Sequence, residues 1–479
     1  MNNSESGRPV KYQLVLRIIL FGIVCGVLHL QNRADAQVVE LGPGGTQMTL
    51  GIAQRFESGR NLRLEVPEEG HGTISSTILS FGVSSETPIQ SLSLDAVTAL
   101  RWTDLPNEDS DFDIGDSIFE FGYAREGANA GLDFGVDFSS YDIGLFRSLN
   151  DFIDDEGVLD LPSDFGDLTG DGTRREFNSV FQMDFGRQDL ISYNFRINAQ
   201  NLDYVDQTSP DLFNSDTIGG SAGIGFVLSP VTTATIDIRA ERYEEDNPDQ
   251  TDRKSKSVVF GLSQEVSART RFDVALGYTE IDERELIAGD DFTSGFIGRI
   301  GAEYDMPNGE ITFDAESELS LAGRLNSFRI GRSREILGAT FSVSLGFAHT
   351  DGGRTEPIGS LRYANEFGEN ELRIFFDRNI VITDDEVFRD EYILDFGYIW
   401  GLGPSSRLGL GATHILTDST EVDPRVERTD LNAVYSYELE SQWIINAGLN
   451  YSVRDEDGVG RATSPLAFFQ IGREFAWRP

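Results

Sequence analysis

Cysteine is nearly absent from this chain of 479 residues, in which Cys25 stands alone. It lies in a short apolar stretch near the N-terminus. Val24, directly before it, is not the small residue that a lipid-acceptor cysteine needs. The rest of the chain has no thiol, which excludes disulfides, cysteine-ligated metal sites and thiol catalysis there.

Lysine is almost as scarce, because Lys254 and Lys256 are the only lysines after Lys11. Acidic residues outnumber basic ones, and the formal net charge is −41 at pH 7. A strongly negative chain repels phosphate backbones and anionic surfaces. This charge argues against nucleic acid and against anionic lipid as partners, and it favours acidic loops in water.

Long apolar runs are also missing. After the first 40 positions no stretch of about 20 apolar residues occurs, so no transmembrane helix is predicted there. The chain has 15 prolines and 50 glycines. That mixture is typical of many strands joined by turns, and not of a disordered polymer.

The N-terminus has the pattern of an export signal. Arg8, Lys11 and Arg17 precede an apolar segment at 18–30, and the small residues around Ala36 form a cleavage pattern. The alternative is an uncleaved anchor, but the apolar segment is too short to span a bilayer comfortably. We expect a cleaved signal peptide at 1–36, removed near Ala36 after Sec-type export, and a short periplasmic segment at 37–47.

From residue 48 to 479 the hydrophobic period is two and not 3.6. Apolar and polar residues alternate strictly in 132–138, and the alternation recurs in 92–102, 311–316 and 443–451. One face of such a strand is apolar and the other is hydrophilic. Most alternating segments are about 9 to 12 residues long, the length with which a tilted strand crosses a bilayer.

Short and long connections take turns along the chain, except between about 320 and 370, where every connection is short. Outer-membrane barrels likewise have short periplasmic turns and long external loops. The short ones are at 85–91, 127–130, 187–189, 229–232, 267–270, 306–309, 401–405 and 439–442. The long acidic ones are at 103–114, 142–176, 204–216, 244–253, 282–292, 416–427 and 454–463. We predict an all-β, antiparallel, up-and-down transmembrane barrel of about 22 strands, with 16 as the lower bound. The weakest strand signals are at 321–334 and 357–365.

Soluble β folds explain this pattern less well. A β-sandwich also alternates, but its strands are shorter. A β-propeller places four short strands in about 40 residues, whereas here that length holds two long strands and two connections.

The C-terminal strand ends in aromatic residues, and Phe475 and Trp477 resemble the signal read by the outer-membrane assembly machinery. Two tight turns that lead into alternating strands, at 228–236 and 266–274, resemble a family of outer-membrane β-barrel porins from Gram-negative bacteria. The resemblance implies a barrel of porin or exporter type, located in the bacterial outer membrane. It implies no particular solute. The expected partners are outer-membrane lipid, lipopolysaccharide and the assembly machinery.

One segment in the longest acidic connection resembles the start of a calcium loop. Asp167, Thr169 and Asp171 offer oxygen atoms at alternate positions, with Gly172 at the sixth. Asn178 stands where a bidentate Glu is needed. A glycine-rich turn is therefore the competing interpretation, and calcium in this connection is the only cofactor considered.

Charged residues on the hydrophilic face are the candidate functional residues. Barrels of this size enclose a watery lumen, where charged side chains favour solutes of one sign. The alternative is a set of salt bridges that only stabilise the wall. The predicted lumen-lining residues are Asp95, Arg101, Asp116, Glu120, Asp133, Asp137, Arg196, Asp237, Arg239, Arg299, Glu303, Asp314, Glu316, Arg373, Asp377 and Asp395.

No catalytic signature is present, since the histidines are far apart and a G-x-S-x-G elbow is missing. We expect no enzyme. The leading function is a pore for passive or weakly selective passage of small hydrophilic solutes. The alternatives are an exporter or importer, for example of polysaccharide, and a structural or adhesive surface barrel. A TonB-dependent transporter is disfavoured, because a plug domain does not fit between residue 37 and the first strand.

Overall fold

The computed structural model describes residues 45–107, 109–145, 149, 168, 170–209, 212–287, 289–336, 338–383, 386–420, 424–440 and 442–478. They form 22 β-strands. In chain order these are β1 Gly45–Arg60, β2 His71–Thr87, β3 Gln90–Asp104, β4 Asp111–Glu126, β5 Ala130–Asp142, β6 Thr173–Phe185, β7 Ile191–Val205, β8 Ser215–Ser229, β9 Thr232–Glu245, β10 Asp252–Ser267, β11 Thr270–Arg284, β12 Asp290–Met306, β13 Gly309–Ser320, β14 Gly323–Ile336, β15 Ala339–Thr350, β16 Thr355–Phe367, β17 Asn370–Ile382, β18 Phe388–Gly403, β19 Ser406–Thr417, β20 Val426–Glu438, β21 Trp443–Glu456 and β22 Gly460–Trp477.

Each strand pairs antiparallel with the next one in the chain, and β1 pairs with β22, so the sheet closes on itself. Closure leaves no sheet edge with unpaired backbone groups. The predicted antiparallel barrel of about 22 strands is therefore confirmed. The two weakest sequence segments form β14 and β16.

The short turns require particular residues. Gly309 follows the turn between β12 and β13 with φ +123°. A Cβ at this position would overlap the carbonyl oxygen of Ser333. Only glycine adopts this backbone without strain, so it fixes where β13 begins.

A belt of large apolar side chains is exposed on one face of the sheet. Phe296, Leu345 and Leu449 are 77%, 70% and 63% exposed. A barrel that presents such a belt buries it in hydrocarbon. In the part of the chain that the structure describes, no helix has the length and apolar character needed to cross a membrane.

Two expectations on length were wrong. The strands have between 12 and 18 residues, as in β13 and β22. Alternation marks only the stretch that meets hydrocarbon, whereas backbone pairing continues above it through polar residues. Most of the predicted long connections are shorter for the same reason: 282–292, for example, shrinks to 285–289. The connection at 143–172 remains long. The predicted signal peptide and most of segment 37–47 lie outside the described residues.

Candidate functional site on the inner face

Contacts between strands that are not neighbours identify the concave side of the sheet. Arg329 Nη2 of β14 donates a hydrogen bond to Asn379 Oδ1 of β17 at 2.7 Å. Arg101 of β3 reaches Asp142 of β5 at 3.0 Å. Side chains converge in this way only inside a closed barrel. The inner face is therefore the one that carries Arg101 and Arg329, and residues directly opposite each other in the ladder share it.

A row of carboxylates crosses three strands of the inner face. Asp95 of β3 lies opposite Glu120 of β4, and Glu120 lies opposite Asp137 of β5. Gly82 and Asn178 continue the row on either side. Like charges directly opposite each other destabilise a sheet. Three carboxylates side by side give this part of the inner face a negative field, which attracts cations.

Arg101 is surrounded by acidic groups. Its guanidinium lies 2.8 Å from Asp113, 3.0 Å from Asp142 and 3.8 Å from Asp116. The Arg101 side chain is 8% exposed. Asp142 also accepts the backbone amide of Gly144 at 2.9 Å. This cluster therefore fixes the start of the connection that follows β5.

A second row of residues across the inner face contains both signs of charge. Asp133 lies opposite Gln182, which lies opposite Arg196. Arg239 of β9, two strands beyond Arg196 of β7, belongs to the same row. Asp237 shares the inner face of β9 with Arg239. The acidic character of β3–β5 therefore gives way to a mixed wall at β7–β9.

On β12 and β13 the predicted residues form an ion pair. Arg299 Nε donates to Asp314 Oδ2 at 2.7 Å, and Glu316 lies opposite Arg299. The Arg299 side chain is 62% exposed, so this pair is solvated and adds little stability.

Glu303 lies nearer the short-turn end, where its carboxylate and those of Asp305 and Glu310 come within 4.8 Å of one another. These groups surround the turn between β12 and β13. Acidic side chains at such a turn are common without a metal, and the cluster is not assigned as a site.

On β17–β19 the inner-face residues Phe375, Asp395 and Thr413 are buried. Arg373 Nε donates to Asp395 Oδ2 at 3.0 Å, and Thr413 Oγ1 donates to Asp395 Oδ1 at 2.8 Å. Asp395 is 1% exposed. Asp377 lies two positions from Phe375 on the same face, opposite Ser360. Here the wall-stabilising alternative fits better than contact with solute.

Two described residues of the connection 143–172, Leu149 and Leu168, contact strands that are distant from β5 around the ring, which the sequence did not indicate. The backbone amide of Leu149 donates to Asp430 Oδ2 of β20 at 2.6 Å. Arg454 Nη1 of β21 donates to the carbonyl oxygen of Leu168 at 3.2 Å. Because β20 and β5 lie seven strands apart around the ring, Leu149 lies across the mouth of the barrel from the end of β5.

A second contact crosses the mouth from the opposite wall. Glu386, between β17 and β18, lies 3.1 Å from Arg253 of β10. Its other oxygen accepts the backbone amide of Leu321 at 2.8 Å. Nothing in a hydrophobic pattern signals such a contact, because it depends on where two distant connections meet.

Of the predicted calcium ligands, Asp167 and Thr169 lie outside the described residues. Asp171 lies 3.3 Å from Arg63. Glu65, nearby on the connection 61–70, has a pKa raised above the usual range of a carboxyl, chiefly by burial and then by the charge of Asp171. Calcium binding here stays a prediction.

The C-terminal aromatics close the barrel. Phe475 lies opposite Leu50 of β1, and Trp477 lies opposite Met48. Both rings are exposed on the outer face. Their recognition by assembly machinery stays a prediction.

No protein-family model matches this chain, and no curated protein matches it by sequence. Three solved structures have a similar fold. They are the FrpB iron transporter from Neisseria meningitidis (7% identity, TM-score 0.57), the open form of the ferric-catecholate import receptor Fiu from E. coli (8%, 0.55), and a mutant of the ferric enterobactin receptor PfeA from Pseudomonas aeruginosa in complex with enterobactin (10%, 0.52). Each comparison covers 91% of this chain and 82% of the other chain. At such low identity the likeness shows the fold alone, a large closed β-barrel.

Proposed function

We propose that this protein is a bacterial outer-membrane barrel whose inner face forms a passage for small hydrophilic solutes, passive or weakly selective for cations. The proposal depends on the difference between the two faces of the sheet, one apolar and one charged. Exposed rings such as Phe296 surround the outside, whereas the carboxylates of Asp95, Glu120 and Asp137 share the inside. Barrels of 16 to 18 strands leave an aqueous channel, and because the diameter grows with strand number, a ring of 22 strands encloses a wider lumen.

The two contacts across the mouth support a passage for small solutes. Two contacts hold parts of the chain inside the mouth on opposite walls. They are Leu149 with Asp430 and Glu386 with Arg253. A narrowed mouth limits solute size while ions still pass, and the acidic row would favour cations.

The test is conductance in planar bilayers. Purified protein, shown to be folded by heat-modifiable gel mobility, should produce discrete current steps, whereas a boiled sample should produce none. Folded protein that inserts and gives no steps would rule out the open pore, and would leave the gated transporter and the structural or adhesive barrel.

A second candidate is a gated importer or exporter of larger solutes. It is favoured by the likeness in fold to an iron transporter, a ferric-catecholate import receptor and a ferric enterobactin receptor. Such a protein would be silent in bilayers and would still transfer solute in cells. Conductance that appears only when the contacts across the mouth are removed would support this candidate over the pore.

A further inference from the structure

A groove lies on the outer face of the barrel, where β22, β1, β2 and β3 run side by side. Its volume is about 530 Å³, in the range of ligand pockets. Its walls are the rings of Phe56, Phe469 and Trp102, which are 52%, 43% and 40% exposed. Phe56 lies opposite Phe469 on one side and Ser75 on the other, and Ser75 lies opposite Trp102.

The floor of the groove consists of small side chains. Ser58 lies opposite Thr73 of β2 and opposite Ala467 of β22, on the same outer face as Phe56. This row is one step nearer the long-connection end than the aromatic row. Small residues flanked by rings leave a channel that is open toward the hydrocarbon side.

Two basic side chains stand at the end of this channel. Arg60 and His71 lie directly opposite each other on the outer face, one step beyond Ser58 and Thr73, and both are exposed. The His71 ring and Ser58 Oγ share a hydrogen bond of 2.9 Å. Opposite residues in a ladder hold their Cβ atoms about 5 Å apart, so both heads can meet one anionic group.

We infer that this groove binds one phosphorylated, acylated glycolipid of the outer leaflet, with an acyl chain between the Phe56 and Trp102 rings and a phosphate at Arg60 and His71. The inference rests on the outer-membrane location in the proposed function. The chain is negative overall, so the inference limits anionic lipid to a place where Arg60 and His71 stand at the end of an apolar channel. Basic groups beside an apolar channel are the pattern by which membrane proteins hold anionic head groups.

One acidic neighbour opposes the phosphate. Asp104 of β3 lies opposite Thr73 and is exposed, and Ser110 Oγ donates to it at 3.4 Å. Removing this charge should therefore strengthen binding, which gives the inference a variant that gains affinity as well as variants that lose it.

The experiment uses the full barrel in nanodiscs of phosphatidylcholine with bisphosphorylated lipid A, and counts retained lipid A by native mass spectrometry. Wild type should retain one molecule. Ala467→Trp, which fills the channel, and Arg60→Gln should each reduce retention at least tenfold, and Asp104→Asn should raise it. Matched controls are Ala240→Trp and Arg284→Gln, which change exposed residues elsewhere on the outer face.

Retention that survives Ala467→Trp would overturn the site. Equal retention of dephosphorylated lipid A would overturn the role of Arg60 and His71. The proposed pore fails separately: the same variants should conduct like wild type, so a barrel that conducts and retains no lipid A refutes only the lipid site. A silent barrel that shows the predicted retention pattern refutes only the pore.

Discussion

Leu149 and Asp430 are 281 positions apart, yet the backbone amide of Leu149 donates a hydrogen bond to Asp430 Oδ2 across 2.6 Å. The same oxygen accepts Arg428 Nη2 at 3.1 Å. Asp430 is 3% exposed. One buried carboxylate on β20 therefore joins the wall of the barrel to the connection that begins at β5.

Replacing Asp430 by Ala should increase single-channel conductance. The substitution removes the acceptor for the Leu149 amide, a charge-assisted bond of about 1.5 to 3 kcal/mol. Each 1.4 kcal/mol corresponds to about a tenfold change in the equilibrium constant between the docked and the released connection. Arg428→Gln is the control, because it removes the other partner of Asp430 and keeps the amide bond. Equal conductance changes in both variants would assign the effect to the ion pair.

Replacing Asp133 and Asp137 by Asn should weaken cation preference. Asp137 continues the row of Asp95 and Glu120, so neutral side chains there lower the negative field of the inner face. Reversal potentials in asymmetric salt measure the preference. Asp290→Asn, an exposed residue at the start of β12, serves as the control. If the double variant keeps the reversal potential of wild type, these two residues do not line the ion path.

Most of the fold follows from the alternation of residue types. Strict alternation in 132–138 predicts one apolar face, and the register places Phe134 and Val136 together on one side of β5 and Asp133 and Asp137 on the other. Strand ends were less predictable, because backbone pairing continues through polar residues once the hydrocarbon ends. That is why β12 reaches back to Asp290 inside a predicted loop.

The contacts across the mouth could not be predicted. Glu386 meets Arg253 only because the ring of 22 strands brings the connection after β17 toward β10. The same limit applies to Asp395. Its charge and inward side follow from the pattern, but its burial with Arg373 and Thr413 does not. Periodicity assigns a face to each residue, and it carries no information on which residues meet across a lumen.

Arg101→Gln should destabilise the barrel by about 3 kcal/mol, the usual effect of removing one partner from a buried ion pair. The change leaves the carboxylates of Asp113, Asp116 and Asp142 without their central cation. Urea unfolding in detergent micelles measures the free energy. Arg284→Gln is the control, because Arg284 is 61% exposed and its pair with Asp282 should contribute less than about 1 kcal/mol. Equal stabilities of the two variants would contradict the structural role of Arg101.

Glu65 should make the connection 61–70 more stable in acid than at neutral pH. Burial raises the pKa of Glu65, and the carboxylates of Asp171 and Glu69 raise it further. A raised carboxyl pKa means that the folded loop favours the protonated form. The penalty for ionising Glu65 is therefore absent below its ordinary pKa and grows as pH rises through the raised value.

Hydrogen exchange of the Glu65 amide, which donates to Asn61 Oδ1 at 3.0 Å, reports this stability. After correction for intrinsic rates, protection should fall as the pH rises above the ordinary carboxyl pKa of about 4.3. Glu65→Gln should remove the dependence and raise protection at neutral pH. Glu285→Gln, in another connection at the same end, should leave the pH dependence of protection intact. A pH dependence that persists in Glu65→Gln would assign the effect to another group.

Phe475→Ala and Trp477→Ala should lower the yield of assembled barrel in cells more than they lower the stability of the assembled form. Both rings lie on the outer face of β22, opposite Leu50 and Met48, where they contribute to the closing seam with β1. If the rings also present a signal to the assembly machinery, their loss slows assembly before the seam forms. Heat-modifiable gel mobility of membrane fractions measures yield, and urea unfolding of the purified barrel measures the stability that the seam contributes.

Phe469→Ala is the control, since it removes an exposed ring from the same face of β22, further from the C-terminus. Equal losses of yield in all three variants would show that the rings act only through the seam.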